Sequence, residues 1–246
     1  MKRSLEFSSP LVNAPGSLGF ALSSRATFPA LGAFFTNPVS WRPRPPTQAP
    51  ACEAFLGGFL LHTGLPNPGF ESVVRRYARR WREMRLPVIV HLMADRPEEA
   101  ARMTRALEDQ ENVMGVELGF APRLAEDILL LALEMCQGEL PLIVNLSEEQ
   151  VFSLGARCLS AGAAALSLAA PRGALPLPGG GSLTGRLFGP ALFPRTLLTV
   201  REAARAGFPL IASGGVYSQK NANALQEAGA LAVGLDAVLW QGEFSR

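Results

Sequence analysis

The stretch Phe208–Gly242, FPLIASGGVYSQKNANALQEAGALAVGLDAVLWQG, decides the fold. Its apolar run Pro209–Ala212 meets Ser213-Gly214-Gly215, and Ala222, Leu225 and Ala228 follow at helical spacing. Gly229 ends that helix, and Leu231–Leu235 continues as an apolar run of buried-strand length. Strand, glycine turn, helix, strand is the closing unit of a parallel barrel, whose last strand ends commonly hold a phosphate.

The same alternation runs upstream. Strands are predicted at Leu11–Ala14, Gly32–Thr36, Val88–Leu92, Gly115–Leu118, Leu142–Leu146 and Ala164–Leu168, with Leu210–Ser213 and Leu231–Leu235 completing eight. Helices are predicted at Glu71–Arg85, Pro97–Glu111, Arg123–Gln137, Glu148–Ser160, Pro194–Ala206 and Gln219–Ala228. Between the first two strands only a short turn near Thr27–Leu31 is expected. The chain of 246 residues matches the roughly 250 typical of a (β/α)8 TIM barrel, so residues 1–246 are expected to form one α/β domain. Val39–Gly69 and Pro171–Pro194, rich in proline and glycine, read as irregular stretches that build the rim or lid of a site.

Composition narrows the function classes. A net charge of +2 gives no global field for nucleic acid or membranes, so neither is expected as a partner. Arg75, Arg76, Arg79, Arg80, Arg82 and Arg85 crowd one helix, but Val73, Val74, Tyr77, Trp81 and Met84 form the opposite stripe, as on a solvated outer helix. Gly179-Gly180-Gly181-Ser182 reads as a flexible loop tip. Cys52, Cys136 and Cys158 lack metal-type spacing and make no disulfide framework, which fits a reducing cytoplasm. His62 and His91 are the only histidines, and no metal site or histidine-based triad is expected. The N-terminus lacks a signal-peptide core, and no apolar run approaches ~18 residues.

Three segments together resemble the dihydroorotate dehydrogenase family, FMN-dependent barrels of pyrimidine biosynthesis, and its soluble branch in particular. GGFLLHTGLPNPG, Gly57–Gly69, is similar to the family's GG-x-L-N-x-x-G-L-x-N-P-G. SPLVNAPGSLGF, Ser9–Phe20, is similar to N-P-x-x-x-A-A-G-x-x-G, and LTGRLFGPALFP, Leu183–Pro194, to T-G-G-L-S-G-P-A-x-x-P. The resemblance implies flavin contacts at Ala14, Gly16, Thr36, Asn37, Asn145, Gly185, Ser213, Gly214 and Gly215. It also implies a homodimer, with a subunit of a larger assembly as the other expectation.

The family's chemistry is where this sequence departs. A family lysine follows the threonine of the second strand, and here Asn37 follows Thr36. The orotate-binding asparagine is replaced by Leu61, and the fifth strand's lysine corresponds to Asn145. The E-L-N-x-S-C-P-N loop, with its cysteine base, reads Glu117-Leu118-Gly119-Phe120-Ala121-Pro122-Arg123, and Arg123 is expected to open the next helix directly. After the sixth strand, Ala169-Ala170-Pro171 stands where the family has another asparagine. Losing a positioned base alone costs typically 10²–10⁴-fold in rate, so no catalytic residue is assigned and no dihydroorotate oxidation is expected.

Two readings follow. In one, the barrel is a non-catalytic partner or scaffold without FMN. Aligned without gaps, Asp236 and Ala237 replace a glycine and threonine that serve the flavin phosphate. Two unit charges at ~4 Å repel by about 4 kcal/mol at an effective dielectric near 20. In the other, a two-residue slip places Gly234 at that turn, and the chain is an FMN oxidoreductase with a changed substrate. That reading draws on Ser213-Gly214-Gly215, on Arg186 in place of a family glycine, and on the strand-end polar residues Thr36, Asn37, His91, Glu117, Asn145 and Ser167. Cys52, in the loop over the mouth, has no base nearby in sequence and reads as a plain loop cysteine.

Overall fold

The structure is a computed structural model describing residues 3–22, 30–49, 51–177, 180–242 and 244. Strands β1 (Leu11–Asn13) and β2 (Phe34–Phe35) precede a hairpin of β3 (Ala51–Phe55) and β4 (Gly58–His62). Helices and strands then alternate as α1 (Phe70–Glu83), β5 (Val88–Met93), α2 (Pro97–Glu108), β6 (Val113–Gly119) and α3 (Glu126–Met135). They continue as β7 (Leu142–Leu146), α4 (Glu148–Ser160) and β8 (Ala165–Leu168). A second hairpin, β9 (Arg172–Pro176) and β10 (Ser182–Phe188), comes before α5 (Phe193–Arg205), β11 (Leu210–Ser213), α6 (Gln219–Glu227), β12 (Ala232–Leu235) and short α7 (Val238–Gln241).

The barrel order is β1-β12-β11-β8-β7-β6-β5-β2, and the paired neighbours run parallel. At the seam between β1 and β2 a single bridge joins Val12 to Ala33. The buried amide of Asn13 completes it, donating to the Phe35 carbonyl at 2.7 Å and accepting the Phe35 N–H at 2.8 Å. Two orphan backbone groups of a two-residue strand are thereby satisfied.

Helix starts follow local chemistry. Pro97 opens α2, and Ser147 with Gln150 makes a capping box on α4. Ser218 caps α6 through the Asn221 N–H. On α1, Val73 and Trp81 are buried while Arg75, Arg76, Arg79, Arg80 and Arg82 are exposed, the amphipathic division expected of an outer helix.

The pleat sorts the barrel interior into layers. Val12, Phe35, Ile89, Ile143, Ala165, Ile211 and Ala232 form one apolar cluster, closed below by Leu5, Phe7 and Met114. The larger core lies between sheet and helices and contains Val90, Leu92, Val116, Leu118, Val144, Leu166 and Ala212.

Three local expectations are corrected. Val39–Gly69 and Pro171–Pro194 are not wholly irregular: their hairpins pair as a four-stranded antiparallel sheet, β3-β4-β10-β9. This sheet forms a lid on the C-terminal side of the barrel, because both hairpins leave barrel strands at that end. Helix α3 begins at Glu126 rather than Arg123, since Pro122 and Arg123 form a turn and Asp95 accepts the Ala121 N–H at 2.7 Å. The chain after β12 turns into α7, where no helix was expected. Of the turn near Thr27–Leu31, residues 27–29 lie outside the described residues, as does Gly179.

Candidate functional site

One pleat repeat above the apolar layer the interior changes character. Ile89 gives way to His91, Gly115 to Glu117, Ile143 to Asn145, Ala165 to Ser167, Ile211 to Ser213, and Ala232 to Gly234. These residues stand at the C-terminal mouth, where barrels carry out their chemistry.

The mouth is internally satisfied. His91 Nδ1 lies 2.5 Å from one Glu117 carboxylate oxygen, and the Ser167 hydroxyl donates to the other. Asn145 Nδ2 donates to Ser167 Oγ at 3.0 Å, and Thr36 Oγ1 accepts the His91 backbone N–H at 3.1 Å. Glu117 and Thr36 are fully buried, and His91 and Ser167 nearly so. Gly119 makes this possible: a Cβ there would stand 2.3 Å from His91 Nε2. The remaining cavity is about 10 Å³, lined by Ala14, Phe35, Glu117, Asn145, Ser213 and Gly234 among others. That is room for about one water.

The nine residues expected to touch flavin by resemblance lie in several parts of the structure. Ala14, Asn145 and Ser213 meet at the cavity, and Thr36 lies against His91. Asn37 ties down the loop after β1, accepting the Gly19 N–H at 3.0 Å, and Gly16 turns in that loop at a φ of 89°. Gly185 lies in the lid, where a Cβ would meet Leu60 Cδ2 at 2.5 Å. Gly214 and Gly215 pack on the start of α5: a Cβ on Gly215, whose φ is 77°, would lie 2.3 Å from the Phe193 nitrogen. That close approach is one physical reason for glycine in the Ser213-Gly214-Gly215 turn. Leu61 and Arg186 sit opposite each other in the lid ladder.

The other closing turn carries Asp236. Its carboxyl is buried and accepts the Ala237 N–H at 2.6 Å. Burial raises its pKa from 3.8 to about 6, against the pull of backbone hydrogen bonds. Beside it, Trp240 of α7 donates to the Ser17 carbonyl at 2.6 Å and meets Phe188 of the lid edge-on, with centroids 5.5 Å apart. Phe59 stacks on Phe188, so lid, α7 and the loop after β1 share one aromatic contact.

Thr36, His91, Glu117, Asn145 and Ser167 are visible in the sequence as strand-end polar residues, but their mutual bonds are not. Arg172 carried no sequence signal; only the lid register places it beside Arg186. Among the described residues no His, Cys, Asp and Glu side chains gather in threes as a metal site, and no helix is long and apolar enough to cross a membrane.

No family model matches the chain. The dihydroorotate dehydrogenase B (NAD(+)) catalytic subunit of Pelobacter propionicus is 30% identical over 252 residues, covering 93% of this chain and 83% of that protein. The chain belongs to the dihydroorotate dehydrogenase family. The corresponding subunit of Geotalea uraniireducens is 28% identical over 254 residues, with the same coverages of 93% and 83%. A ligand-free dihydroorotate dehydrogenase structure from Eimeria tenella superposes with a TM-score of 0.74 at 15% identity, over 98% of this chain and 83% of that one. At that identity the likeness is one of fold, and the (β/α)8 barrel of the dihydroorotate dehydrogenases is shared.

Proposed function

We propose that this barrel is a non-catalytic dihydroorotate dehydrogenase homologue that neither holds FMN nor oxidises dihydroorotate, and acts as a cytoplasmic partner subunit or scaffold, alone as a homodimer or within a larger assembly. The observation that carries this reading is the filled mouth. Glu117, His91, Ser167 and Asn145 bond to one another, and the cavity that Glu117, Ser167 and Asn145 help to line is about 10 Å³. An isoalloxazine ring far exceeds that space, so the residues present do not fit the flavin. At the closing turn, Asp236 supplies a carboxyl where a phosphate would need donors, and it already takes the Ala237 N–H. Asn37, Leu61 and Asn145 leave neither the family's flavin lysines nor its orotate asparagine.

The test is the visible absorbance of protein purified without added cofactor, followed by melting with excess FMN. A colourless protein whose Tm ignores FMN is the expected result, because specific binding must stabilise the native state. Stoichiometric yellow flavin overturns the reading.

One observation favours the second reading, an oxidoreductase with a changed substrate. An imidazole whose Nδ1 is held by a carboxylate is the arrangement of a general base. Under that reading His91→Gln abolishes a flavin-dependent turnover. Under the first there is no turnover to abolish.

A further inference from the structure

Helix α1 concentrates the positive charge of the molecule. Its 14 residues include five arginines and two glutamates, an excess of three cations. The whole chain, with 23 basic and 21 acidic residues, has an excess of only two, so the remainder is slightly acidic. Ser72, Arg75, Arg79 and Arg82 follow one another at spacings of three and four and form one row on the outer face, with Arg76 beside it. All four arginines are exposed. The helix is pinned from its other side, where Trp81 donates to the Phe20 carbonyl at 2.7 Å.

Solubility asks an outer helix for charges of mixed sign, and α2 supplies them with three glutamates and two arginines. On α1 the balance is missing. Arg79 pairs with Glu83 at 2.9 Å and Arg82 with Glu111 at 3.8 Å, and exposed pairs of this kind hold each other only weakly. Arg76 makes no hydrogen bond or ion pair with any described residue.

The row begins at a cleft. A hollow of about 260 Å³ opens at the head of α1, between Trp41, Arg42, Pro43, Pro68, Glu71 and Ser72. The Trp41 ring stacks on the buried Phe70 with centroids 6.2 Å apart, which holds this apolar wall in place. Arg75 reaches Ser72 Oγ at 3.5 Å, so the row is continuous with the cleft.

We propose that the outer face of α1 docks an extended acidic segment of a partner protein. One apolar side chain of the segment sits in the Trp41 cleft, and its carboxylates lie on Arg75, Arg76, Arg79 and Arg82. A guanidinium fork matches a carboxylate with two parallel hydrogen bonds. A helix of 14 residues is roughly 21 Å long, which an extended chain covers in roughly six residues. The row is one helix wide, and the exposed Glu71, Glu83 and Glu111 border it. That border suits a narrow peptide and opposes a nucleic acid, whose phosphates bring a dense run of negative charge. This surface gives the partner-subunit reading a location. It lies on the outside of the barrel, so its occupancy does not depend on flavin at the mouth.

The experiment is fluorescence anisotropy of labelled probes titrated with the full chain. The probes are a short glutamate peptide ending in leucine, the same peptide ending in serine, and an oligothymidylate of equal charge. The leucine peptide is expected to bind saturably and to weaken with added sodium chloride. The serine peptide should bind several-fold more weakly, which tests the cleft without altering the protein, and Trp41→Ala should erase that difference. Arg76→Glu with Arg79→Glu should weaken the leucine peptide roughly tenfold or more while melting like the wild type. Arg102→Glu with Arg105→Glu makes the same change in net charge at exposed positions of α2 and should leave binding intact. Absence of saturable binding, equal losses in the two arginine doubles, equal binding of the leucine and serine peptides, or tighter binding of the oligothymidylate overturns the proposal.

Discussion

Inside the barrel, two layers one pleat repeat apart solve the same packing problem with opposite chemistry. The lower layer uses Ile89, Ile143 and Ile211, which fill space without direction. The upper one uses His91, Glu117, Asn145 and Ser167, whose fit depends on every member finding its partner. An apolar layer yields gradually to substitution, because each methylene contributes a little. A buried polar layer fails as a unit, because removing one member strands the others.

The sharpest way to break this contrast is Glu117→Ala. It leaves His91 and Ser167 buried without their shared acceptor and should cost about 3–5 kcal/mol, read as a fall in the urea midpoint at unchanged m. Ile143→Val in the lower layer should cost only about 0.5–1.5 kcal/mol. Replacing Glu117, His91 and Ser167 together with Leu, Leu and Ala should recover much of the loss, since a fully apolar layer has nothing left unpaired. Failure of that rescue would mean the mouth layer matters for more than satisfying itself.

The second largest effect is at the closing turn. Asp236 has a folded pKa of about 6 against a reference of 3.8. Between those values the folded state holds a proton that the unfolded state has released. Stability therefore falls as pH rises through that window and levels off above about 6. The cost of ionising the buried carboxyl amounts to on the order of 3 kcal/mol at neutral pH. Asp236→Asn keeps an oxygen for the Ala237 N–H and carries no charge. It should be more stable than wild type at pH 7, with the difference vanishing near pH 4. Chemical denaturation of both proteins across pH 4–8 checks this, and a pH-independent difference would refute the assignment.

How much of this was legible follows from the same physics. All eight barrel strands stand out in the sequence because a parallel strand buried on both faces is a continuous apolar run, as in LIVNL and VIVHLM. The lid does not. Its β9, RGALP, contains a proline and a glycine and alternates exposed with half-buried positions. Its central pairing joins Leu61 to Arg186 across more of the chain than any local turn signal spans. Helix α3 starts later than the sequence suggests, because Pro122 and Arg123 suit a helix start while the Asp95 contact beside their turn comes from another loop. At the site, the polar strand ends are visible as residue types, but the bond between His91 and Glu117 depends on which side chain lies opposite which in the β5–β6 ladder. Ser213-Gly214-Gly215 looks like a phosphate turn because glycines that admit a ligand and glycines that admit a helix end are the same letters. Here Phe193 lies against the second glycine.

The mildest prediction tests how closely the polar layer is fitted. Gly119 ends β6 one pleat repeat above Glu117, and a methyl group there would come within 2.3 Å of His91 Nε2. Its backbone has no left-handed φ, so Gly119→Ala introduces a contact and no strain of conformation. Either the imidazole swings away and gives up its bond to Glu117, or the strands part slightly. Overpacking of this kind costs about 1–3 kcal/mol. A Cβ on Gly115, two pleat repeats below on the same strand, would meet the Pro141 carbonyl oxygen at 3.1 Å, a contact that a small shift relieves. Gly115→Ala should therefore cost less. The two variants differ by one methyl group at equivalent pleat positions, so the gap between their unfolding free energies isolates the contact with His91. In a Gly119→Ala, His91→Ala double variant the clash is gone, and the added cost of the Gly119 change should shrink toward that of Gly115→Ala.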